Sequence, residues 1–335
     1  MRPLFHPSLV NGRYGDPTVY VDTLFEKRSV LFDIGDIATL APRKIQRIDQ
    51  IFVSHAHIDH FVGFDHLLRL SVGREKTVRL YGPSGFAQRV YHKLQGYRWD
   101  LVDTYESDLV FIVSEFAPPH AISATQFRLK TGFAAEPVAA RAACHGTLHT
   151  EATFRVSAAV LEHHTACLGF ALQEAAHINI WKNRLQERGL PVGAWLKSLK
   201  RAVAEDRPDD HLIGIDGPVG SDARLEPLGR LRDVLTVTPG QKIGYVTDVA
   251  DTPANRAAII ALVENADILF IEAAFAEADA ALARQRAHLT TTAAGEIARQ
   301  AKVRRIEPFH FSPRYAGGEE HMLNEVMTAF GGSHG

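Results

Sequence analysis

Short apolar runs closed by turn residues recur along the chain and predict strands at Thr18–Val21, Ser29–Phe32, Ile51–Val53, Thr77–Tyr81, Leu109–Phe116, Ala124–Leu129, Lys242–Asp248 and Ala266–Ile271. Between them the spacing turns helical. Phe61, Phe64, Leu67 and Leu68 share one face, and Phe86–Leu94 follows the turn Gly82-Pro83-Ser84-Gly85. Further helices run from Thr252-Pro253 to about Val263, from Thr290-Thr291 to Ala301, and from His321 into the tail. Strands alternating with helices, followed by a return to strands, suit an α/β fold of two sheets packed face to face with helices outside. The stretch from His177 to about Leu235 breaks the pattern: Ile180–Arg188 and Gly193–Ala204 read as two helices joined at Gly189-Leu190-Pro191. The expected organisation is one domain over 1–335 with a helical insertion at about 177–235.

Composition narrows this little, except at histidine. With 335 residues and 46% hydrophobic positions the chain can bury a substantial core. Two cysteines, Cys144 and Cys167, allow one bridge at most and fit a reducing cytoplasm. No apolar run approaches the ~18 residues of a membrane span, and Met1–Asp16 has no basic stretch followed by an apolar one, so a soluble, cytoplasmic protein without a membrane partner is expected. A formal charge of -2 gives no global attraction to nucleic acid, so any RNA contact must come from a local patch. Seventeen histidines are the anomaly, and metal binding accounts for some of them.

The densest chemistry is Ser54-His55-Ala56-His57-Ile58-Asp59-His60, directly after Ile51-Phe52-Val53. In an extended chain residues two apart point the same way, so His55 and His57 can grip one metal ion. Asp59 and His60 sit where helical spacing begins and can face a second ion. Carboxylate and imidazole at this density suit a zinc-type site.

His-x-His-x-Asp-His after a strand resembles the signature of the metallo-β-lactamase superfamily, hydrolases with one or two metals in an αββα sandwich. Later segments narrow the likeness to the branch of ribonuclease Z, the tRNA 3′-processing endonucleases. The resemblance implies that Asp33, in a Phe-Asp-x-Gly context, supports the metal loop from beneath. It implies a metal-binding His six residues before the Gly of Gly169-Phe170, which picks His163, with its neighbour His164 as the competing choice and His145 and His149 as outside candidates. Asp248, at the end of Lys242–Asp248, corresponds to the family's bridging carboxylate. Asp251 is its rival, read as the cap of the following helix. His310, in His310-Phe311-Ser312-Pro313-Arg314-Tyr315, corresponds to the last ligand. His288-Leu289-Thr290-Thr291 matches the family's proton donor to the leaving group, and Glu272 in Glu272-Ala273-Ala274-Phe275 keeps the acid of a His-Glu-Ala-Thr-Phe segment while its His and Thr are replaced. A Glu beside that imidazole would hold its tautomer and raise its pKa.

Together these imply His55, His57 and His163 on one ion, Asp59, His60 and His310 on a second, and Asp248 with a water between them. The ions are zinc first, with manganese or iron as alternatives. Asp59 would accept or orient the proton of the attacking water, and His288 would protonate the leaving oxygen. Arg314 can serve a phosphate oxygen or an internal ion pair. Residues 178–207 hold seven Lys/Arg (Lys182, Arg184, Arg188, Lys197, Lys200, Arg201, Arg207) against three acids, where the resemblance implies an arm clamping tRNA. Ala194, however, stands where that arm's Gly-Pro pair has its Pro. Two substrate classes remain, an RNA (precursor tRNA) or a small phosphodiester, sulfate ester or lactone. A homodimer is among the assembly states left open.

Overall fold

The computed structural model describes residues 4–24, 26–117, 121–142, 146–215 and 224–331. The chain divides into two units, Met1–Gln173 with Gln241–Gly335, and Glu174–Gly240.

In the first unit eight strands pair strictly in chain order: β1 (Phe5–Leu9), β2 (Val19–Thr23), β3 (Ser29–Phe32), β4 (Ile48–Phe52), β5 (Lys76–Pro83), β6 (Leu109–Ala117), β7 (Ala121–Arg128) and β8 (Ala135–Ala142). The central strands β3 to β6 are parallel, and the pairs outside them are antiparallel. Parallel neighbours need crossovers, and the helices Pro42–Arg47, Phe64–Ser71 and Phe86–Gln95 supply them. This explains why β3 reads as a run buried throughout: it is covered on both faces.

The second sheet starts with β9 (Thr147–Thr150), β10 (Phe154–Glu162) and β11 (Ala166–Glu174). Beyond β11 lies the second unit, in which β12 (His177–Ile180) pairs with β15 (Leu235–Thr238), and β13 (Leu212–Ile215) pairs with β14 (Arg224–Pro227). The chain re-enters the sheet as β16 (Lys242–Val246), β17 (Ile268–Glu272) and β18 (Ile306–Phe309), giving the order β18-β17-β16-β11-β10-β9. β11 and β16 are antiparallel neighbours with Gln173 opposite Lys242, so the second unit grows from what would otherwise be a hairpin loop.

Three apolar layers hold the first unit. Ile51, Leu80 and Phe111 pack against Phe64, Leu67 and Val90 of the outer helices. Phe32 and Phe52 meet Phe170 and Tyr245 between the sheets, with the Phe32 and Tyr245 rings stacked at 5.4 Å. Val246, Leu269 and Ile271 pack against Ile259, Ile297 and Val326. The result is the expected αββα sandwich; full burial of each such side chain contributes about 1.5 to 3 kcal/mol.

The second unit has its own core, in which Trp195, Leu199, Leu228 and Leu231 are buried. Its helices are shorter than the periodicity predicts: Lys182–Glu187 rather than Ile180–Arg188, and Trp195–Ala204 rather than Gly193–Ala204. Ile180 is taken by strand pairing with Leu235, a long-range partner that helical spacing does not reveal. Among the described residues no helix is long and apolar enough to cross a membrane.

Candidate metal centre

The predicted site residues gather where strands run out. Asp33 follows β3 and His55 follows β4; Asp248 follows β16, Glu272 closes β17 and His310 follows β18, so the parallel strands of both sheets deliver side chains to one end of the sandwich. His163 enters from the turn between β10 and β11. Three of these residues, Asp33 (φ 52), Asp248 (φ 38) and His310 (φ 58), have left-handed backbones, a conformation L-residues adopt rarely and at a cost concentrated at functional sites.

Three groups of ligand atoms form, one of which (Asp248, His288 and His310) shares a residue with each of the other two. His55, His57, His163 and Asp248 have one donor atom each within 4.8 Å of one another, and Asp59, His60 and His310 form a second such group. Asp248 stands between them. Its Oδ2 lies 3.6 Å from His55 Nε2, 3.4 Å from His60 Nε2 and 3.7 Å from His163 Nε2, while Oδ1 lies 3.1 Å from His310 Nδ1. Asp59 reaches His60 at 3.4 Å and His310 at 3.3 Å. Of the adjacent histidines, His163 joins the cluster and His164 is exposed. His149 bonds instead to Tyr81 and Glu151; His145 and Cys144 lie outside the described residues. Asp251 pairs with Arg256 and does not cap the next helix; Thr252 does, accepting the Asn255 N–H at 3.2 Å.

A buried carboxylate organises the floor. Asp33 Oδ1 accepts the Ser54 N–H at 2.6 Å, and Oδ2 accepts the Ser54 hydroxyl (2.8 Å), the His60 Nδ1–H (2.8 Å) and the Tyr245 hydroxyl (2.7 Å). Fixing Nδ1 leaves His60 Nε2 as the atom facing the site. The floor can approach the ligand helix Ile58–Phe61 because two glycines touch it: a Cβ on Gly35 would come 2.4 Å from the Asp59 carbonyl, and one on Gly63 would come 2.1 Å from the Gly35 carbonyl. His163 is fixed in the same way, since its Nδ1–H donates to the Ala287 carbonyl at 2.8 Å, which leaves Nε2 with its lone pair. The next residue is His288, whose Nδ1–H is shared by both oxygens of the fully buried Glu272 at 3.1 Å. Glu272 Oε1 also accepts the Val249 N–H at 2.8 Å.

The charges separate into two classes. Burial, reinforced by neighbouring His60, pushes His55 down to about 2, and burial lowers His163 too, so both are neutral imidazoles with lone pairs to offer. Burial opposes charge on His60 and His310 as well, but Asp248 outweighs it. His60, with Asp33 adding to the pull, is raised well above its ordinary value, and His310 rises to about 10. Asp248 is held far below the carboxylate range because the imidazoles of His310 and His60 overcome its own burial. His288 is raised by Glu272 against burial.

The centre therefore favours positive charge beside Asp248. His60 Nε2 and His310 Nδ1 are buried and make no hydrogen bond of acceptable geometry, although both lie near Asp248. Two orphaned nitrogens around a carboxylate, with neutral imidazoles alongside, fit divalent cations that prefer nitrogen and oxygen donors.

Beside the centre a cleft of about 490 Å³ is lined by Asp59, His288 and His310 together with Phe275, Arg286 and Arg314. Arg314 lies 3.6 Å from Asp279 with its guanidinium 5.8 Å above the Phe275 ring, and it still faces the cleft. Sequence reasoning gave no role to Ser54, Tyr245, the Ala287 carbonyl or Arg286. Tyr245 carries a usable signal, because a phenol in a fully buried strand must find a partner.

A family model described as the Beta-lactamase superfamily domain matches residues 18–178 and 232–311, leaving out most of the second unit. A ribonuclease Z from Deinococcus radiodurans is 30% identical over 306 residues, covering 90% of this chain and 88% of that protein. One from Limosilactobacillus reuteri is 29% identical over 312 residues, covering 90% and 84%. The short form of human tRNase Z superposes with a TM-score of 0.53 at 17% identity, over 92% of this chain and 91% of that one. The metallo-beta-lactamase fold protein YhfI from Bacillus subtilis gives 0.54 at 16% identity, over 97% and 92%. At such identities the two structural likenesses speak for the fold alone.

Proposed function

Since the chain belongs to the beta-lactamase superfamily and, within it, to the metal-dependent hydrolases of the ribonuclease Z branch, we propose that it is a cytoplasmic phosphodiesterase cleaving precursor tRNA at a centre of two divalent metal ions. The observation that carries this reading is Asp248, whose two oxygens reach toward ligands of both groups at once. In the proposed centre His55, His57 and His163 would hold one ion and Asp59, His60 and His310 the other, with Asp248 available to both; zinc is the first choice for so many imidazoles. When bound, such ions lower the pKa of a water and neutralise charge on a phosphoryl group.

The chain's own residues do the rest. Asp33 holds the His60 ring through Nδ1, and Asp59, at the edge of the cleft, orients the attacking water or accepts its proton. His288 faces the same cleft with its Nδ1–H on Glu272, which supports its role as the donor that protonates the departing oxygen through Nε2. Arg314 draws a phosphate oxygen of the substrate into the cleft.

RNA contact is assigned to the second unit. There Lys182, Lys197 and Lys200 line one groove without an ion pair among the described residues, whereas Arg188, Arg201 and Arg207 are paired with acids. That partial neutralisation favours a second reading, a hydrolase of small phosphodiesters. Assaying the purified protein on precursor tRNA and bis(p-nitrophenyl) phosphate in parallel separates the two. Turnover of both supports the proposal, turnover of the small diester alone supports the second reading, and turnover of neither by metal-loaded protein refutes both.

A further inference from the structure

Resting on the phosphodiesterase reading, we propose that Arg286 is a specificity-determining residue that makes the cleft select phosphodiesters bearing a second phosphate beside the scissile one. Arg286 is exposed, lines the cleft, and makes no ion pair with any described residue. That sets it apart from Arg314, the other arginine of the cleft lining. Arg13 is engaged by Glu307 and Glu319, Arg256 by Asp251 and Glu296, and Arg314 shares its charge with Asp279.

The local backbone gives Arg286 its direction. It is the last residue of the helix Ala280–Arg286, and Ala287 in the left-handed conformation (φ 55) reverses the chain there, ending the helix. His288 is thereby turned inward to Glu272, while Arg286 stays on the cleft wall. Arg286 and His288 stand two residues apart and line the same cleft, so the guanidinium is placed for a group of the substrate beside the one whose departing oxygen His288 protonates. An arginine with all its donors free takes a phosphate in a two-pronged grip. Neither acid of the cleft lining forms an ion pair with Arg286 among the described residues. Asp59 is engaged with His60 and His310, and Asp16 accepts the Asp36 N–H.

Two chromogenic diesters test this: the p-nitrophenyl ester of thymidine 5′-phosphate, and the same compound with a 3′-phosphate. Metal-loaded wild type should favour the second in kcat/KM by about tenfold to a hundredfold, mostly through KM, the usual range for a charged hydrogen-bonded contact. Arg286→Gln should erase most of that ratio. Arg286→Lys should restore part of it, because it keeps the charge and loses the fork. Arg299→Gln, an exposed change on another helix, should leave the ratio as in wild type. Equilibrium binding of thymidine 3′,5′-bisphosphate against thymidine 5′-phosphate gives the same comparison without turnover. Equal losses on both diesters, or an unchanged ratio in Arg286→Gln, overturns the proposal and leaves the phosphodiesterase reading standing. Failure of the metal-loaded protein to cleave any phosphodiester removes that reading and the proposal with it.

Discussion

Replacing Asp33 by Asn changes almost no volume and tests whether the carboxylate beneath the metal loop does what its contacts imply. Four donors converge on it, one on Oδ1 and three on Oδ2. An amide has one acceptor oxygen. With that oxygen in the Oδ2 position, the amide N–H group confronts the Ser54 N–H; turned the other way, it confronts the Ser54 hydroxyl, the Tyr245 hydroxyl and the His60 ring. Hydroxyls can rotate and a peptide N–H cannot, so the first orientation leaves a buried backbone donor unsatisfied, at about 1 to 3 kcal/mol. Removing the charge from beside His60 breaks a fully buried pair, and the two effects together should destabilise the metal-stripped protein by about 3 to 5 kcal/mol. His60 is also deprived of the partner that fixes its tautomer, so metal affinity should fall by about 10- to 100-fold. Urea unfolding of the stripped protein measures the first effect, and competition with a chromophoric chelator measures the second. An Asp33→Asn variant within about 1 kcal/mol of wild type that binds metal as tightly would refute the reasoning, whatever its activity.

His288→Ala should keep its metal content but slow cleavage of esters with poor leaving groups by about 10² to 10⁴, with far less effect on p-nitrophenyl esters; equal slowing of both, or a protein without metal, would give His288 another role. In the metal-stripped protein the pKa of His310 is raised from 6.5 to about 10, so its protonation stabilises the fold fully below about 6.5 and ceases to do so as pH climbs through about 10. The urea midpoint of stripped protein should therefore fall between pH 7 and 10 while metal affinity rises, since binding displaces that proton; a flat midpoint would count against it. Changing Lys182, Lys197 and Lys200 together to Ala should flatten the salt dependence of tRNA binding by just under one for each phosphate these lysines neutralise, and superimposable filter-binding curves would remove the second unit from RNA recognition.

What could be read from the sequence follows from where the information lies. His55, His57, Asp59 and His60 are legible because one strand end carries them all, and β3 because burial on both faces writes it as an apolar run. β1 and β12 are not legible. Each is defined by a partner supplied from elsewhere, β12 by β15 across the whole second unit, and the local pattern holds no trace of that partner. The left-handed backbones at Asp33, Asp248 and His310 are likewise invisible, since nothing in an Asp or His announces a strained torsion that the surrounding fold imposes. The tautomer locks on His60 and His163 depend on Asp33 and the Ala287 carbonyl, far away along the chain in both cases.

The candidate ligands run from His55 in the first sheet's loop to His310 after the last strand of the second, so no subset of the chain short of both docked sheets can assemble the pair of ligand groups. Metal is thus a latecomer to folding. Contacts absent from the transition state alter the rate of unfolding rather than that of folding. Excess metal should leave the refolding limb of a chevron plot where it is and slow the unfolding limb, making the ions a kinetic clasp on a finished sandwich; acceleration of refolding by metal would mean that the ligands meet earlier than their strands allow.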